Sequence, residues 1–338
     1  MVEQDQKPLV TITGVTGFLG AWVAKYYLEA GTYRIRGTVR STSNAIKMEP
    51  LKATLGEELF SQMELVEADL LDATSLSNAI TGSTFVVHTA SPFVLNNPED
   101  PQTLIKPAVE GTTAVLQACK ANGVQRLVIT SSIAAIRSVR PENWPADSTF
   151  NESHWSDPAE DNPSCSTYNR SKTLAEKAAW NFRDALPESE KFDIVVLNPA
   201  LIMGPAKQTN DFASGTIIRG MMTSGATNGR LKMGQVDVRD VAKAHLLAVT
   251  QQAAANRRFI LVSRCAWRRE MAECLAAEFN SQGFAINTSE ATDDQILDYN
   301  VDTTASREIL GLEYMPLEQS WKDMAQSLIE SGFIQRPQ

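Results

Sequence analysis

The sequence has few of the residues that build metal centres or disulfide scaffolds. Its 338 residues include three histidines, at positions 88, 154 and 245, and four cysteines without a CxxC pair. These scattered ligands predict no metal site and indicate free thiols in a reducing compartment. Repeats and low-complexity segments are also missing, so we expect one large α/β unit or two modest domains.

Long apolar runs and basic clusters are missing too. No stretch approaches the length of a membrane-spanning helix, and the charged segment around Glu3, Asp5 and Lys7 lacks the apolar core of a signal peptide. The net charge of −9 argues against a nucleic-acid or anionic-membrane partner, because both require a concentrated basic surface. These features predict a cytoplasmic protein without a nucleic-acid or membrane partner.

The most informative stretch joins an apolar strand to a helix through three glycines. Residues 9–13 are apolar or β-branched, Gly14, Gly17 and Gly20 follow at intervals of three, and a helical pattern covers residues 18–29. A pyrophosphate must closely approach the N–H groups at a helix N-terminus, and a Cβ atom would block it. We therefore expect Gly14 to allow the turn, Gly17 to admit phosphate and Gly20 to let the helix pack on the strand. A ligand-free turn could carry the same glycines.

The second predicted strand, residues 33–40, ends in a basic residue. In dinucleotide-binding folds a residue about 20 positions after the glycines selects the cofactor, and an acidic side chain there binds an unmodified ribose. Arg40 occupies this position, and Lys47 follows before the first carboxylate, which belongs to Glu49. Two cations fit a 2′-phosphate and predict NADP(H). The alternative is a solvated basic turn.

Two later strands end in further candidates. Asp69 closes the third predicted strand, where its carboxylate could bind the exocyclic amine of adenine or could act as a helix N-cap or turn residue. The fourth strand, residues 85–90, runs into Ser91, and its small residues would let the chain pass close to a diphosphate. We interpret His88 in this strand as a core histidine with a satisfied hydrogen bond, and not as a base.

A tyrosine and a lysine open the helical pattern that runs to Ala185. Tyr168 and Lys172 are four residues apart, so the phenol and the ammonium share one helix face. Tyr168 also lies 36 positions after Ser132, which ends the fifth predicted strand. An incidental contact would show the same Tyr/Lys spacing. The proline-rich residues 137–166 between them predict a loop folded over a site.

Strands and helices alternate regularly up to residue 200, which predicts a Rossmann-type, doubly wound parallel sheet with ligands at the carboxyl ends of the strands. Six candidates fall at such ends: Gly14, Arg40, Asp69, Ser91, Ser132 and Pro199. We assign residues 1–200 to a cofactor domain, to which 236–263 return. Residues 201–235 and 264–338 would form a smaller, mostly helical substrate lobe. The basic residues 264–269 are interpreted as a solvated face.

In combination, these motifs resemble those of the extended short-chain dehydrogenase/reductases. Thr13 directly precedes the glycine motif, Ser171 lies between Tyr168 and Lys172, and Asn198 directly precedes Pro199. The chain looks most like the dihydroflavonol-reductase-like branch, which includes cinnamoyl-CoA reductases and microbial aldehyde and ketone reductases. The similarity covers nearly the whole chain, and the narrower match rests on residues 37–40, 88–92, 130–132, 155–157, 168–176 and 198–205.

The resemblance implies an NADPH-dependent carbonyl reductase, acting as a monomer or homodimer on a small or medium aldehyde or ketone. Its catalytic residues would be Ser132, Tyr168 and Lys172. In this family Arg40 and Lys47 would meet the 2′-phosphate. The implied cofactor-binding residues are Gly14, Thr16, Gly17, Phe18, Leu19, Gly20, Arg40, Lys47, Asp69, Leu70, Thr89, Ala90, Ser91, Tyr168, Lys172, Pro199, Ile202 and Ser214.

The chemistry of these groups predicts a mechanism. Hydride transfer to a carbonyl carbon leaves an alkoxide, which Tyr168 would protonate while Ser132 donates to the same oxygen. Lys172, together with the oxidised nicotinamide, is expected to lower the phenol pKa from its ordinary value near 10. Lys172 would also hold the ribose hydroxyls. The substrate walls are expected to come from residues 93–97, 133–166 and 203–227.

Two other functions remain open. An epimerase or dehydratase of the same fold would keep its nicotinamide tightly bound, although Arg40 replaces the acidic residue expected there. A non-catalytic NADP sensor would usually lack the Tyr/Lys pair. Residues 265–269, and the lack of a proline within 284–287, differ from plant members and disfavour a flavonoid substrate.

Overall fold

The computed structural model describes residues 6–90, 98–291 and 298–337. Its strands are, in chain order, β1 (Leu9–Thr13), β2 (Arg34–Val39), β3 (Met63–Glu67), β4 (Phe85–His88), β5 (Arg126–Thr130), β6 (Thr149–Phe150), β7 (Asp193–Pro199), β8 (Leu201–Met203), β9 (Lys232–Asp237), β10 (Arg257–Leu261), β11 (Arg264–Trp267) and β12 (Asn300–Val301). Seven of them form one parallel sheet in the order β10-β7-β5-β4-β1-β2-β3. The predicted Rossmann-type fold is confirmed.

Helices cover both faces of this sheet. The α-helices of the described residues are, in chain order, α1 (Phe18–Ala30), α2 (Ala45–Ser61), α3 (Ala73–Ile80), α4 (Gln102–Ala121), α5 (Ala134–Arg137), α6 (Thr167–Asp184), α7 (Ala213–Thr223), α8 (Val238–Thr250), α9 (Arg268–Phe279), α10 (Thr304–Glu308) and α11 (Leu317–Glu330). Helices α8, α1 and α2 pack beside one another on one face, and α3, α4 and α6 pack on the other. The interior strand β1 is buried along its whole length, as its apolar and β-branched residues require.

A second, smaller unit lies beyond β7. Strands β8, β9 and β11 form a three-stranded sheet, and α7, α9 and α11 enclose an apolar cluster around the buried Trp321. The chain leaves this unit twice. Residues 238–261 supply α8, which packs on α1, and the edge strand β10. Leu310 and Leu312 also join the core of the large sheet, although the sequence places them in the lobe.

The interpretation of residues 264–269 as a solvated face is wrong for all of them except Arg269, which is exposed. Residues 264–267 form β11, in which Ala266 is fully buried. The guanidinium of Arg264 lies between carboxylate oxygens of Glu270 and Glu318, at 2.8 and 2.5 Å, and over the Trp321 ring. The charge of Arg264 is therefore paired with carboxylates of α9 and α11.

The helices and the cysteines can be compared with two further predictions from the sequence. Among the described residues, none of the helices is both long and apolar enough to cross a bilayer. All four cysteines are free thiols, and two of them, Cys119 and Cys165, are buried. Burial raises the pKa of the Cys119 thiol well above its ordinary range.

Two histidines lie in the core, His88 at the end of β4 and His245 on α8. His88 Nδ1 lies 2.8 Å from Thr13 Oγ1, and His245 Nε2 lies 2.8 Å from Thr130 Oγ1. The Nδ1–H of His245 donates to the Val241 carbonyl at 2.7 Å. Burial lowers the pKa of His88 to about 3 and that of His245 to about 4. His88 is therefore a satisfied core histidine, as the sequence predicts.

These buried neutral histidines should make the protein sensitive to acid. As pH falls from 6.5 towards 4, the unfolded chain takes up protons that the folded protein does not, so the free energy of unfolding should decrease. Each histidine contributes a slope of at most about 1.4 kcal/mol per pH unit. Urea unfolding at pH 7.5, 6.5 and 5.5 measures this slope. His88→Gln and His245→Gln should each reduce it, and equal slopes in all three proteins would contradict the assignment.

Candidate active site

The turn between β1 and α1 brings three glycines to the carboxyl edge of the sheet. Gly14 has φ +75°, which favours glycine, and a Cβ atom there would lie 2.9 Å from that of Ala90. A Cβ atom on Gly20 would lie 2.3 Å from the Gly14 carbonyl oxygen, so α1 packs on the end of β1 only because Gly20 has none. Gly17 is exposed, and a Cβ atom there would touch only the Gly14 oxygen, at 3.4 Å.

The N-terminus of α1 has the properties of an anion site. Gly17 is its N-cap, no side chain caps the helix, and its first turn contains no acidic residue. The first N–H groups of a helix lack intrahelical partners and carry the positive end of the helix dipole. The half-buried residues Thr16, Phe18 and Leu19 surround these groups. The turn can therefore receive a diphosphate.

The loop after β2 presents the two predicted basic residues. Arg40 is exposed directly after the strand, and Lys47 lies in the first turn of α2, where its N–H donates to Asn44 Oδ1. The backbone N–H and the hydroxyl of Thr42 both donate to one oxygen of Glu67, at 2.7 and 2.8 Å. These hydrogen bonds lower the pKa of the Glu67 carboxyl. Sequence reasoning missed Glu67, because only the β2–β3 register brings it to this loop.

The structure decides between the alternatives for Asp69 only in part. Asp72 is the N-cap of α3, so Asp69 is not. The Asp69 side chain is exposed and accepts a hydrogen bond from the Leu71 N–H at 2.9 Å, which makes it a turn residue. Leu70 is half-buried beside Gly111 of α4. Contact of Asp69 and Leu70 with adenine stays a prediction.

The end of β4 lies next to the glycine turn. The Thr89 hydroxyl donates to the Thr13 carbonyl at 2.6 Å, and the Ala90 N–H donates to Thr13 Oγ1 at 3.3 Å. Small residues at 89 and 90 therefore lie against Gly14 and Gly20, which is the proximity that a diphosphate site needs. Ser91, also predicted to bind the cofactor, and the predicted substrate segment 93–97 lie outside the described residues.

Ser132, Tyr168 and Lys172 come together at the same edge. Ser132 is buried two residues after β5, and its side chain forms a hydrogen bond with that of Tyr168. Tyr168 lies in the first turn of α6, whose N-cap is Ser166, and Lys172 follows one turn later. The lysine is 9% exposed. Three groups that the sequence separates by up to 40 positions thus share one site.

The expected lowering of the Tyr168 pKa is not found in the protein alone. Burial raises this pKa above its ordinary value, and the hydrogen bond with Ser132 opposes the rise only in part. Desolvation therefore outweighs this hydrogen bond. Burial also lowers the pKa of Lys172 to about 8, against the opposing effect of the Glu176 carboxylate.

The remaining predicted cofactor residues lie on three elements. Pro199 ends β7, and its carbonyl accepts the Ile133 N–H at 3.0 Å, beside Ser132. Ile202 is half-buried in β8. The Phe18 ring packs 5.2 Å from that of Phe212, and this contact brings the start of α7, with the buried Ser214, to the N-terminus of α1.

The proline-rich segment after α5 is folded against the site. The Ser156 hydroxyl donates to the Ala134 carbonyl and accepts the Ser138 N–H, both at 2.7 Å. Asn169 of α6 donates from Nδ2 to Ser138 Oγ at 2.7 Å. The loop is thereby tied to α5 and α6, the elements next to Ser132 and Tyr168. Within the described part of the chain, no three metal-ligating side chains come together.

Comparison with known proteins identifies the family of this chain. The model of the NAD dependent epimerase/dehydratase family matches residues 10–261. The chain belongs to this family. The resemblance to extended short-chain dehydrogenase/reductases is therefore confirmed, and the matched span runs from β1 to the end of β10.

Several proteins that are similar to this chain over most of its length are named as reductases. Cinnamoyl-CoA reductase 2 of Arabidopsis thaliana is 36% identical over 331 residues, 98% of this chain and 95% of that relative. The structure of yeast methylglyoxal/isovaleraldehyde reductase Gre2 complexed with NADPH superposes with a TM-score of 0.83 at 27% identity, covering 96% and 100% of the two chains. Vestitone reductase from alfalfa gives 0.78 at 26% identity, covering 97% and 100%.

Two glycines of the turn have different predicted roles, packing of α1 for Gly20 and approach of the cofactor for Gly17. Gly20→Ala should lower the free energy of unfolding by about 1–3 kcal/mol, because its Cβ atom overlaps the Gly14 carbonyl. Gly17→Ala should leave stability nearly unchanged but weaken NADPH binding at least tenfold, because its Cβ atom occupies the space that phosphate needs. Urea unfolding and fluorescence titration with NADPH measure the two effects. Wild-type affinity in Gly17→Ala would contradict a diphosphate at this turn.

Proposed function

We propose that this protein reduces a small or medium aldehyde or ketone to an alcohol, with NADPH as the hydride donor and Tyr168 as the general acid. The observation that carries the proposal is the Ser132–Tyr168 hydrogen bond beside the buried Lys172. This group lies at the sheet edge that also holds the α1 N-terminus and Arg40. Tyr168, Lys172 and a bound NADPH would therefore act on the same substrate molecule.

The donor groups of the site fit NADPH. The uncapped N-terminus of α1 and the exposed Gly17 suit the diphosphate, and the exposed guanidinium of Arg40 suits the 2′-phosphate. Lys172 would bind the hydroxyls of the nicotinamide ribose. The solved structure of the yeast reductase Gre2, which holds NADPH, supports this choice. When bound, the cofactor supplies the hydride.

The protein's own residues would manage the charge that develops on the substrate oxygen. Because burial raises the pKa of Tyr168, its phenol keeps the proton at neutral pH. Ser132 would donate to the carbonyl oxygen and hold it beside Tyr168. As hydride reaches the carbonyl carbon, the Tyr168 proton would move to the oxygen, and the ammonium of Lys172 would stabilise the tyrosinate that remains.

A mixed panel of carbonyl compounds tests the function. Loss of NADPH absorbance should occur with aldehydes or ketones, and the panel should include methylglyoxal, isovaleraldehyde and a cinnamoyl-CoA thioester, which the names of similar reductases suggest. Turnover would support the reductase. Thermal stabilisation by NADPH without any turnover would favour the non-catalytic sensor. A nicotinamide that copurifies and is not released would favour an epimerase or dehydratase.

Arg40 should determine the choice between cofactors. Arg40→Ala should raise KM for NADPH about tenfold or more, because a hydrogen bond to a charged group contributes roughly 1.5–3 kcal/mol. KM for NADH should change little. Arg34→Ala is the matched control, since this arginine lies at the opposite end of β2. Equal losses with NADPH and NADH would show that Arg40 does not read the 2′-phosphate.

Tyr168→Phe tests the general acid. The change removes one oxygen and keeps the ring, so stability and NADPH affinity should survive while kcat falls by roughly 10²–10⁴-fold. In the wild type, kcat should also fall as pH rises through about 8, where Lys172 loses its charge. Stopped-flow measurement of NADPH oxidation reports both effects. A variant that keeps most of its activity would rule out Tyr168 as the proton donor.

A further inference from the structure

Glu176 lies one helical turn beyond Lys172 on α6 and is 1% exposed. Its Oε2 accepts hydrogen bonds from Ser131 Oγ at 2.5 Å and from Asn198 Nδ2 at 2.8 Å. Its Oε1 accepts from Arg258 Nε at 2.5 Å. One buried carboxylate thus joins α6 to the ends of β5 and β7 and to the start of β10.

The partners of Glu176 carry the backbone of the active site. Ser131 directly precedes Ser132, and Asn198 directly precedes Pro199. Asn198 Nδ2 donates a second hydrogen bond to the Ser132 carbonyl, at 3.1 Å. The position of Ser132 relative to Tyr168 therefore depends on contacts that converge on Glu176.

Glu176 and Lys172 also line the same small cavity. It has a volume of about 20 Å³, and His88, Thr130 and Ser131 form part of its wall. Opposite charges that share such a buried space interact much more strongly than they would in water. The carboxylate accordingly acts to raise the pKa of Lys172, against the larger effect of burial.

Arg258 is the charged partner of this carboxylate. Its side chain is 8% exposed and lies over the Trp155 ring at 3.8 Å, and its Nη1 donates to the carbonyls of Glu152 and His154. A guanidinium does not lose its proton in proteins, so Glu176 has a partner that stays charged. The titratable and charged groups around Glu176 and Lys172 are Arg258 on β10, Tyr168 on α6 and His88 on β4. Of these, His88 is neutral.

We propose that Glu176 is a positioning residue, which holds Lys172 in its charged form and ties the Ser132 strand end to the helix that carries Tyr168. Its consequence for catalysis rests on the proposed function. The charge coupling does not, because it can be measured without turnover.

Glu176→Gln tests the coupling by direct titration of Lys172. In protein labelled with ¹³C at lysine Cε, the Lys172 resonance is assigned by its loss in Lys172→Met, and its shift is followed from pH 6 to 11. The titration midpoint should lie near 8 in the wild type and about one pH unit or more lower in the variant. An unchanged midpoint would overturn the proposal, whatever happens to stability.

A matched control separates this effect from the loss of a buried ion pair. Asp193 pairs with the buried Arg126 at 2.9 Å, at the opposite end of β5 and β7. Asp193→Asn should lower the unfolding midpoint in urea but leave the Lys172 titration unchanged. If Glu176→Gln does not fold, the double variant Glu176→Gln, Arg258→Gln avoids an unpaired guanidinium, and its Lys172 midpoint should also fall.

Glu176→Asp tests the positioning role. It keeps the charge, so the Lys172 midpoint should stay within about half a unit of the wild type, but the shorter side chain cannot reach all its partners and kcat should fall at least tenfold. Wild-type kcat in this variant would overturn the positioning role. Absence of turnover in the wild type would reject the proposed function alone, since the titrations would still decide the charge coupling.

Discussion

The close contact between Gly20 and the Gly14 carbonyl is the constraint on which the site depends. A Cβ atom at position 20 would lie 2.3 Å from that oxygen, so α1 can begin directly above the end of β1 only with glycine there. The same turn places the end of β4 against Gly14 through Ala90. The uncapped N–H groups of α1 therefore face the edge at which the parallel strands end.

Around that edge, burial sets the properties of the charged groups more than their neighbours do. Desolvation raises the pKa of Tyr168 and lowers that of Lys172, so each side chain is shifted towards its neutral form. In the proposed reaction a neutral phenol suits the proton donor, whereas a neutral lysine could not stabilise the tyrosinate. This opposition explains why a buried carboxylate next to Lys172 is useful despite the cost of desolvating it.

The second unit contains contacts that local sequence patterns do not predict. The sequence predicts a mostly helical lobe there, and the second unit does contain α7, α9 and α11. The basic residues 264–269 were read as solvated because three arginines stand close together in sequence. In the structure, Glu318 from α11 pairs with Arg264, and a partner 54 positions away leaves no trace in the local pattern.

The sequence by itself determined the features that depend on nearby residues. These are the parallel α/β fold, the glycine turn and the Tyr168/Lys172 face, because periodicity, turn chemistry and helical spacing are local properties. Only the tertiary structure decided which side chains meet across elements. Glu67 on Thr42 and Glu176 between Ser131, Asn198 and Arg258 depend on strand register and on packing between distant segments. The direction of the Tyr168 pKa shift could not be predicted from local sequence either, because desolvation depends on everything that surrounds the phenol.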